Sequence, residues 1–369
     1  MSKKKKKSVE EIITAPRKTT VIRGHEEAEA ILANGLKTGR LAHALLISGP
    51  KGIGKATLTY RFARYVLSTG VLQTNATLGE TNDRPLDISR KDEVFARVAS
   101  GSHTDLFVLE KGINPRTGRS RGEITVDEAR GLGRFLSLTP ADSSWRIAIV
   151  DAADEMNRHA ANAILKSLEE PPKRTILVLI SHAPNRLLPT IRSRCRRIKL
   201  RALSRENFES IVKNVHPAIK DSDMDVLGQL SKYSPGQAFL INELAGVQLY
   251  EKLVKILISA PAIDFESVHA LSDELASPGS ELRFKLAMEL LLDWLSSFIT
   301  STAQETALPE LIEGEQATRE RFITVRGLDH WAGLWENIRR LSLRAEQVHL
   351  DRKQVVLSTY TAIGDLAKA

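Results

Sequence analysis

Apolar residues follow two different rhythms along this chain, and the change falls near residue 203. Before it, five runs rich in leucine and β-branched residues stand at His43–Gly49, Asp105–Lys111, Arg146–Ala152, Thr175–Ser181 and Arg196–Leu200. Ile147 to Val150 and Ile176 to Ile180 are apolar without a break, the pattern of strands covered on both faces in a parallel sheet. Between the runs, Leu58, Phe62, Tyr65 and Val66 keep a helical period, as do Met156, Ala160, Ala163, Ile164 and Leu168. Strand and helix alternating in this way predict a doubly wound α/β domain. The helix through Leu168 is expected to stop at Glu170, because Pro171 and Pro172 cannot continue it.

Beyond Leu203 the strand signal ends. Residues 204–244 read as short helices broken at Ser234-Pro235-Gly236, and the remainder is helical throughout. Trp331, Leu334, Trp335, Ile338 and Leu341 share one helix face, and Leu282 to Ile299 is apolar almost all round. A helix of the second kind is buried, in its own bundle or against other subunits. The expected organisation is a basic tail over 1–19, an α/β domain over 20–203, a small helical domain over 204–246 and a helical domain over 247–369. Gly70–Ser100, polar and weakly periodic, reads as an insertion or long loop.

Composition narrows the class. With 42% hydrophobic and 27% charged residues the chain is too apolar for wholesale disorder. The single cysteine, Cys195, excludes an intrachain disulfide framework and any multi-cysteine zinc site, and reads as a packed residue. No apolar run approaches the roughly 18 residues of a membrane helix, and the lysines at the N-terminus precede no apolar signal segment. A reducing, cytoplasmic compartment and no membrane partner are expected. The net charge of +8 owes five of its charges to Lys3–Lys7, leaving +3 for the rest. Such a run is a disordered tail that either touches nucleic acid or other polyanions or is simply solvated.

Candidate chemistry begins at Gly49-Pro50-Lys51-Gly52-Ile53-Gly54-Lys55-Ala56, after the first strand and at the start of an amphipathic helix. In that context a G-x-x-x-x-G-K string is a phosphate-binding loop, with backbone amides curled round phosphate oxygens and Lys55 reaching the outer phosphates. The residue after the lysine should carry a hydroxyl for Mg²⁺, but Ala56 stands there. Thr57 is one position late, rotated by roughly 100° on the helix. Asp151 ends an apolar strand where a metal-holding acid belongs, yet Ala152 follows it in place of the water-polarising glutamate. Asp154 and Glu155 read as caps of the next helix. The two losses argue against hydrolysis at this site. Six basic residues crowd Arg192–Arg201 around Ser193-Arg194-Cys195. Three readings of this stretch stand: a solvated strand edge, a nucleic-acid patch without interleaved aromatics, or an arginine presented to a phosphate on a neighbouring subunit. His25, His43, His103, His159 and His182 show no metal-ligand spacing.

The phosphate loop, the Asp151 strand, the segment Asn162–Pro172 and Ser193-Arg194-Cys195 together resemble the AAA+ clamp-loader proteins of bacterial DNA polymerase III. The resemblance implies a P-loop parallel-sheet domain, a helical lid and an all-α collar. Within that family, Ala56, Ala152 and Gln237, which stands where motor subunits place a nucleotide-sensing arginine, match the delta-prime branch rather than the motors. The resemblance implies a degenerate nucleotide site over Gly49–Thr57 and Asp151, holding ATP or ADP without hydrolysis. It implies sensing by Ser181 or His182, and Arg194 as a finger completing the adjacent motor subunit's ATP site. Implied partners are motor (tau/gamma) and delta subunits and, through the complex, the sliding clamp and primer–template DNA. Many relatives bind zinc through four cysteines between the first helix and second strand; Gly70–Ser100 has none, so no zinc is expected. An active AAA+ ATPase subunit, or a phosphate-loop kinase, remains the alternative.

Overall fold

A computed structural model describes residues 16–72, 85–113, 121–141, 145–348 and 350–368. The Lys3–Lys7 tail and part of the predicted insertion lie outside the described residues. Five strands, β1 (Ala44–Ser48), β2 (Leu106–Leu109), β3 (Arg146–Asp151), β4 (Thr175–Ser181) and β5 (Arg196–Lys199), fall inside the five apolar runs. They form one parallel sheet in the order β2-β3-β4-β1-β5.

Successive side chains leave a strand on opposite faces, and the core divides accordingly. Leu45, Ile47, Ile147, Ile149, Ile176, Val178 and Ile180 enter one apolar cluster; Ala44, Leu46, Ala148, Val150, Leu177 and Leu179 enter the other. Helices α1 (Glu26–Lys37), α2 (Lys55–Leu72) and α3 (Glu93–Ser100) supply the first cluster. Helices α4 (Val126–Ser137), α5 (Arg158–Ala163), α6 (Leu165–Glu169) and α7 (Pro189–Arg194) supply the second. Burial on both faces is why these strands read as unbroken apolar runs.

Two expectations need correction. The helix expected from Met156 to Glu170 is two, α5 and α6, joined at Ile164. The C-terminal part of the predicted loop is the helix α3: Asp92 accepts from the Val94 amide at its start, and Gly101 closes it at φ 75°. The hydrophobic face of eight residues is too short to announce itself by period, but the Asp cap and the terminal glycine are legible signals.

Helix α2, which springs from the phosphate loop, is held by two buried arginines. Arg61 donates from Nε to Glu29 at 2.8 Å and from a terminal nitrogen to Asp87 at 2.6 Å, with Arg61 and Glu29 both almost fully buried. Arg64 donates to the carbonyls of Arg17 (2.8 Å) and Thr19 (2.7 Å) and lies over the Phe95 ring. Burial lowers its pKa to about 10, which leaves it charged.

By contact density the described chain forms two compact units, residues 1–218 with 232–237, and residues 219–231 with 238–369. The first contains the sheet and α8 (Arg205–Val215). The second is helical, built from α9 (Asp221–Leu230), α10 (Pro235–Glu243, from Ala238 on), α11 (Gly246–Ile258), α12 (Phe265–Ala276), α13 (Glu281–Ala303), α14 (Glu315–Val325), α15 (Leu328–Val348) and α16 (Arg352–Ala367). Its centre is aromatic: Phe322 stacks on Trp331 at 4.4 Å, Phe298 meets both edge-on, and the Trp331 indole donates to the Phe322 carbonyl. The α13 stretch that is apolar all round and the Trp331–Leu341 face of α15 supply this core. Tyr250 donates to the fully buried Glu315 at 2.8 Å, and Arg319 pairs with the same carboxylate. No helix of the described residues is long and apolar enough to cross a membrane.

Removing one partner of a buried ion pair strands the other's charge, at a cost of about 3–5 kcal/mol. Arg61→Ala leaves Glu29 in that position and is expected to lower unfolding free energy in urea by about that amount. A loss below about 1 kcal/mol would contradict the anchoring role given to Arg61.

Candidate functional site

In the register of the sheet, the C-terminal ends of β1, β4 and β3 come level: Ser48 stands beside Ser181, and Ile180 beside Asp151. The crevice at such ends is where open α/β sheets bind ligands. The chain leaves β1 through Gly49, whose amide donates to the Ser181 carbonyl at 3.3 Å. A Cβ at Gly49 would stand 2.4 Å from the Leu200 carbonyl oxygen, so only glycine turns there. The loop then runs through Pro50, Lys51, Gly52, Ile53 and Gly54 into α2, which opens at Lys55 with Ala56 and Thr57 in its first turn.

Lys55 is nearly inaccessible, and its ammonium donates to the loop's own carbonyls, Gly49 at 2.7 Å and Pro50 at 2.5 Å. Desolvation pulls its pKa down to about 8, with the Asp151 and Asp154 charges opposing that shift. Asp151 is pushed the other way, up to about 6, by desolvation and then by Glu110, while Lys55 pulls it back. Ala56 brings no hydroxyl to this neighbourhood.

The acids after Asp151 are engaged elsewhere, and they do not cap the next helix as their position suggested. Asp154 and Glu155 lie in a 3₁₀ turn, Ala153–Glu155, and the cap of α5 is Asn157, which accepts from the Ala160 amide. Asp154 accepts from the His182 amide at 2.8 Å, tying this turn to the end of β4. Glu155 pairs with Lys111 at 2.9 Å. Ser181 Oγ and His182 Nδ1 are buried and have no hydrogen-bond partner among the described residues. Burial, with the Lys55 charge second, holds the His182 pKa near 4, so the imidazole is neutral at physiological pH. Polar atoms of this kind, next to a phosphate-type loop, suit a polar ligand.

Two contacts of the site are not written in local sequence pattern, although the resemblance places Gln237 at a nucleotide-sensing position. His25, read as an isolated histidine, is buried and its Nε2–H donates to the Ile53 carbonyl at 2.7 Å, bracing the loop from behind. Its pKa is lowered, by desolvation first, so the neutral ring does this. The segment 234–237 rests on the loop: Ser234 Oγ donates to the Lys51 carbonyl at 2.6 Å and the Gly236 amide to the Gly52 carbonyl at 2.9 Å. A Cβ at Gly52 would meet Ser234 Oγ at 2.6 Å and the Gln237 amide nitrogen at 2.8 Å, so the second loop glycine serves this contact. Nothing in the local pattern links positions so far apart in the chain.

Arg194 stands apart from the loop, at the end of α7 just before the edge strand β5, with its side chain 37% accessible. Cys195 is buried beside it, and desolvation raises its thiol to about 11, in keeping with a packed residue. Exposed Arg196, Arg197 and Lys199 continue along β5. No group of acidic, histidine and cysteine side chains fit to hold a metal ion occurs among the described residues.

A family profile described as "DNA polymerase III, delta subunit" matches residues 24–204. A DNA polymerase III subunit delta' of Pseudomonas aeruginosa is 32% identical over 253 residues, 69% of each chain. The subunit delta' of Bacillus subtilis is 32% identical over 51% of this chain and 51% of that protein. The subunit tau of Escherichia coli is 28% identical over 60% of this chain but only 32% of its own length. The chain thus spans about two thirds of the first of these relatives and about half or less of the other two.

Above an unfolded carboxyl value of about 3.9 and up to about 6, folded Asp151 holds more proton than unfolded Asp151, so its contribution to stability falls as pH rises through that window. Asp151→Asn is therefore expected to gain in thermal midpoint over the parent as pH rises from 4 to 6. A difference that stays constant over the window would contradict the burial assigned to this carboxyl.

Proposed function

The chain belongs to the DNA polymerase III delta-prime subunit family, and on that premise we propose that it is a non-hydrolysing member of the clamp-loader complex. In this reading it assembles with tau/gamma motor subunits and a delta subunit through its C-terminal helical region. It presents Arg194 to the ATP site of the adjacent motor. The complex as a whole then loads the sliding clamp at primer–template DNA.

One observation carries the proposal. The phosphate loop keeps its turn and its lysine, and Asp151 stays at the end of β3, while the metal-binding hydroxyl and the glutamate after Asp151 are missing and the next two acids are engaged. Ala56 has a methyl group where the hydroxyl belongs, Glu155 is held by Lys111, and Asp154 is held by the His182 amide. A phosphate group suits this chemistry: the loop carries Lys55 after β1, and the unpartnered Ser181 Oγ and His182 Nδ1 stand at the end of the adjacent β4. For Mg²⁺ one ligand is missing, the hydroxyl that Ala56 replaces, and Asp151 is left as the acid at that position. ATP or ADP bound without turnover is the state this donor set supports. Arg194, exposed and outside that crevice, is free of any role in the chain's own loop.

Reconstitution with motor and delta subunits tests both halves. The isolated chain is expected to show no ATP turnover, and Arg194→Ala to leave assembly intact while lowering turnover of the complex at least several-fold, as loss of an arginine finger does. Turnover by the isolated chain that Lys55→Ala abolishes would establish the active-ATPase alternative. Unchanged turnover in the Arg194→Ala complex would remove the finger. Deleting residues from Leu249 onward is expected to abolish co-elution with the partner subunits; co-elution of the truncated chain would remove the assembly role of that region.

A further inference from the structure

Arg194 is not a loose side chain. Its guanidinium meets the Glu169 carboxylate at 2.8 Å and donates from Nη1 to the Thr190 carbonyl at 3.0 Å. Glu169 comes from the last turn of α6, and Pro171-Pro172 stop that helix at this point. Helices α6 and α7 pack together, so the double proline sets where the carboxylate stands relative to the arginine. A guanidinium has five N–H donors in a rigid fork. Two are taken by Glu169 and Thr190, and the other three have no partner among the described residues, on a side chain that is 37% accessible. The flanking charges are all of one sign: Arg192, Arg196 and Arg197 surround Arg194 in sequence, the last two exposed. Without a carboxylate nearby, that field repels the guanidinium and leaves its long stem to sample many rotamers.

We propose that Glu169 is a positioning residue that pre-orients Arg194 for an anionic oxygen on a neighbouring subunit. It rests on the reading of Arg194 as a finger. A partly exposed pair of this kind has modest strength, which suits the role: it fixes direction and yields no net capture of the arginine when phosphate arrives. Phosphate oxygens take donors from the remaining three while the two anchors persist, so no exchange of partners is required.

The test uses the full chain, alone and in the reconstituted complex. In the complex, Glu169→Ala is expected to lower kcat for ATP about fivefold with KM unchanged. Glu169→Gln, whose amide oxygen still accepts, is expected to stay within about twofold of the parent. Glu169→Ala added to Arg194→Ala is expected to cause no further loss. In the isolated chain, phenylglyoxal modification at Arg194, followed by mass spectrometry, is expected to run faster in Glu169→Ala than in the parent. If Arg194→Ala lowers turnover but Glu169→Ala does not, or if the two losses add, the positioning role is overturned and the finger stands. An unchanged modification rate overturns it as well. If Arg194→Ala itself has no effect, the finger reading falls and takes the positioning role with it.

Discussion

The buried ammonium of Lys55 is the constraint around which the site is arranged. An ammonium removed from water must find acceptors, and here it finds them in the carbonyls of Gly49 and Pro50, within the loop it belongs to. That choice needs the loop to turn sharply after β1, which needs a residue without a Cβ at Gly49 and a braced Ile53 carbonyl behind. The helix that carries Lys55 needs in turn the buried Arg61 and Arg64 to hold it against α1 and the 17–19 segment. The low pKa of Lys55 and the raised one of Asp151 are the electrostatic trace of the same desolvation.

A motor site and a retained scaffold differ in small groups rather than in backbone. The turn, the helix N-terminus and the lysine belong to the architecture of the sheet edge, and losing them would cost stability as well as function. The hydroxyl replaced by Ala56 and the carboxylate replaced by Ala152 serve only metal and water. Neither group belongs to the backbone of the turn or of the helix that follows it, so the cradle keeps its shape without them. Arg194, before the N-terminal end of β5, sits on a six-residue helix and is anchored by Glu169 rather than by the cradle.

All five strands are legible in the sequence, because a strand buried on both faces writes its burial as a continuous apolar run. The phosphate loop was legible because its glycines and lysine are local. Helix α3 was not, since eight residues give too few turns for periodicity, although Asp92 and Gly101 mark its ends. The break at Ile164 was missed because its neighbours keep a helical spacing across it. Asp154 and Glu155 were misread as caps because a capping signal depends on sequence alone, whereas their actual partners, the His182 amide and Lys111, arrive from other parts of the chain.

The sequence by itself determined the element types, the phosphate-type turn and the missing metal and base groups, all properties of residue identity and short-range spacing. The tertiary structure decided which polar groups meet. Lys55 turns to its own loop, residues 234–237 settle on Gly52, and Glu169 reaches Arg194. Long polar side chains select partners by distance in space, and that distance exists only once β1, β3 and β4 lie side by side and the helices have packed on them.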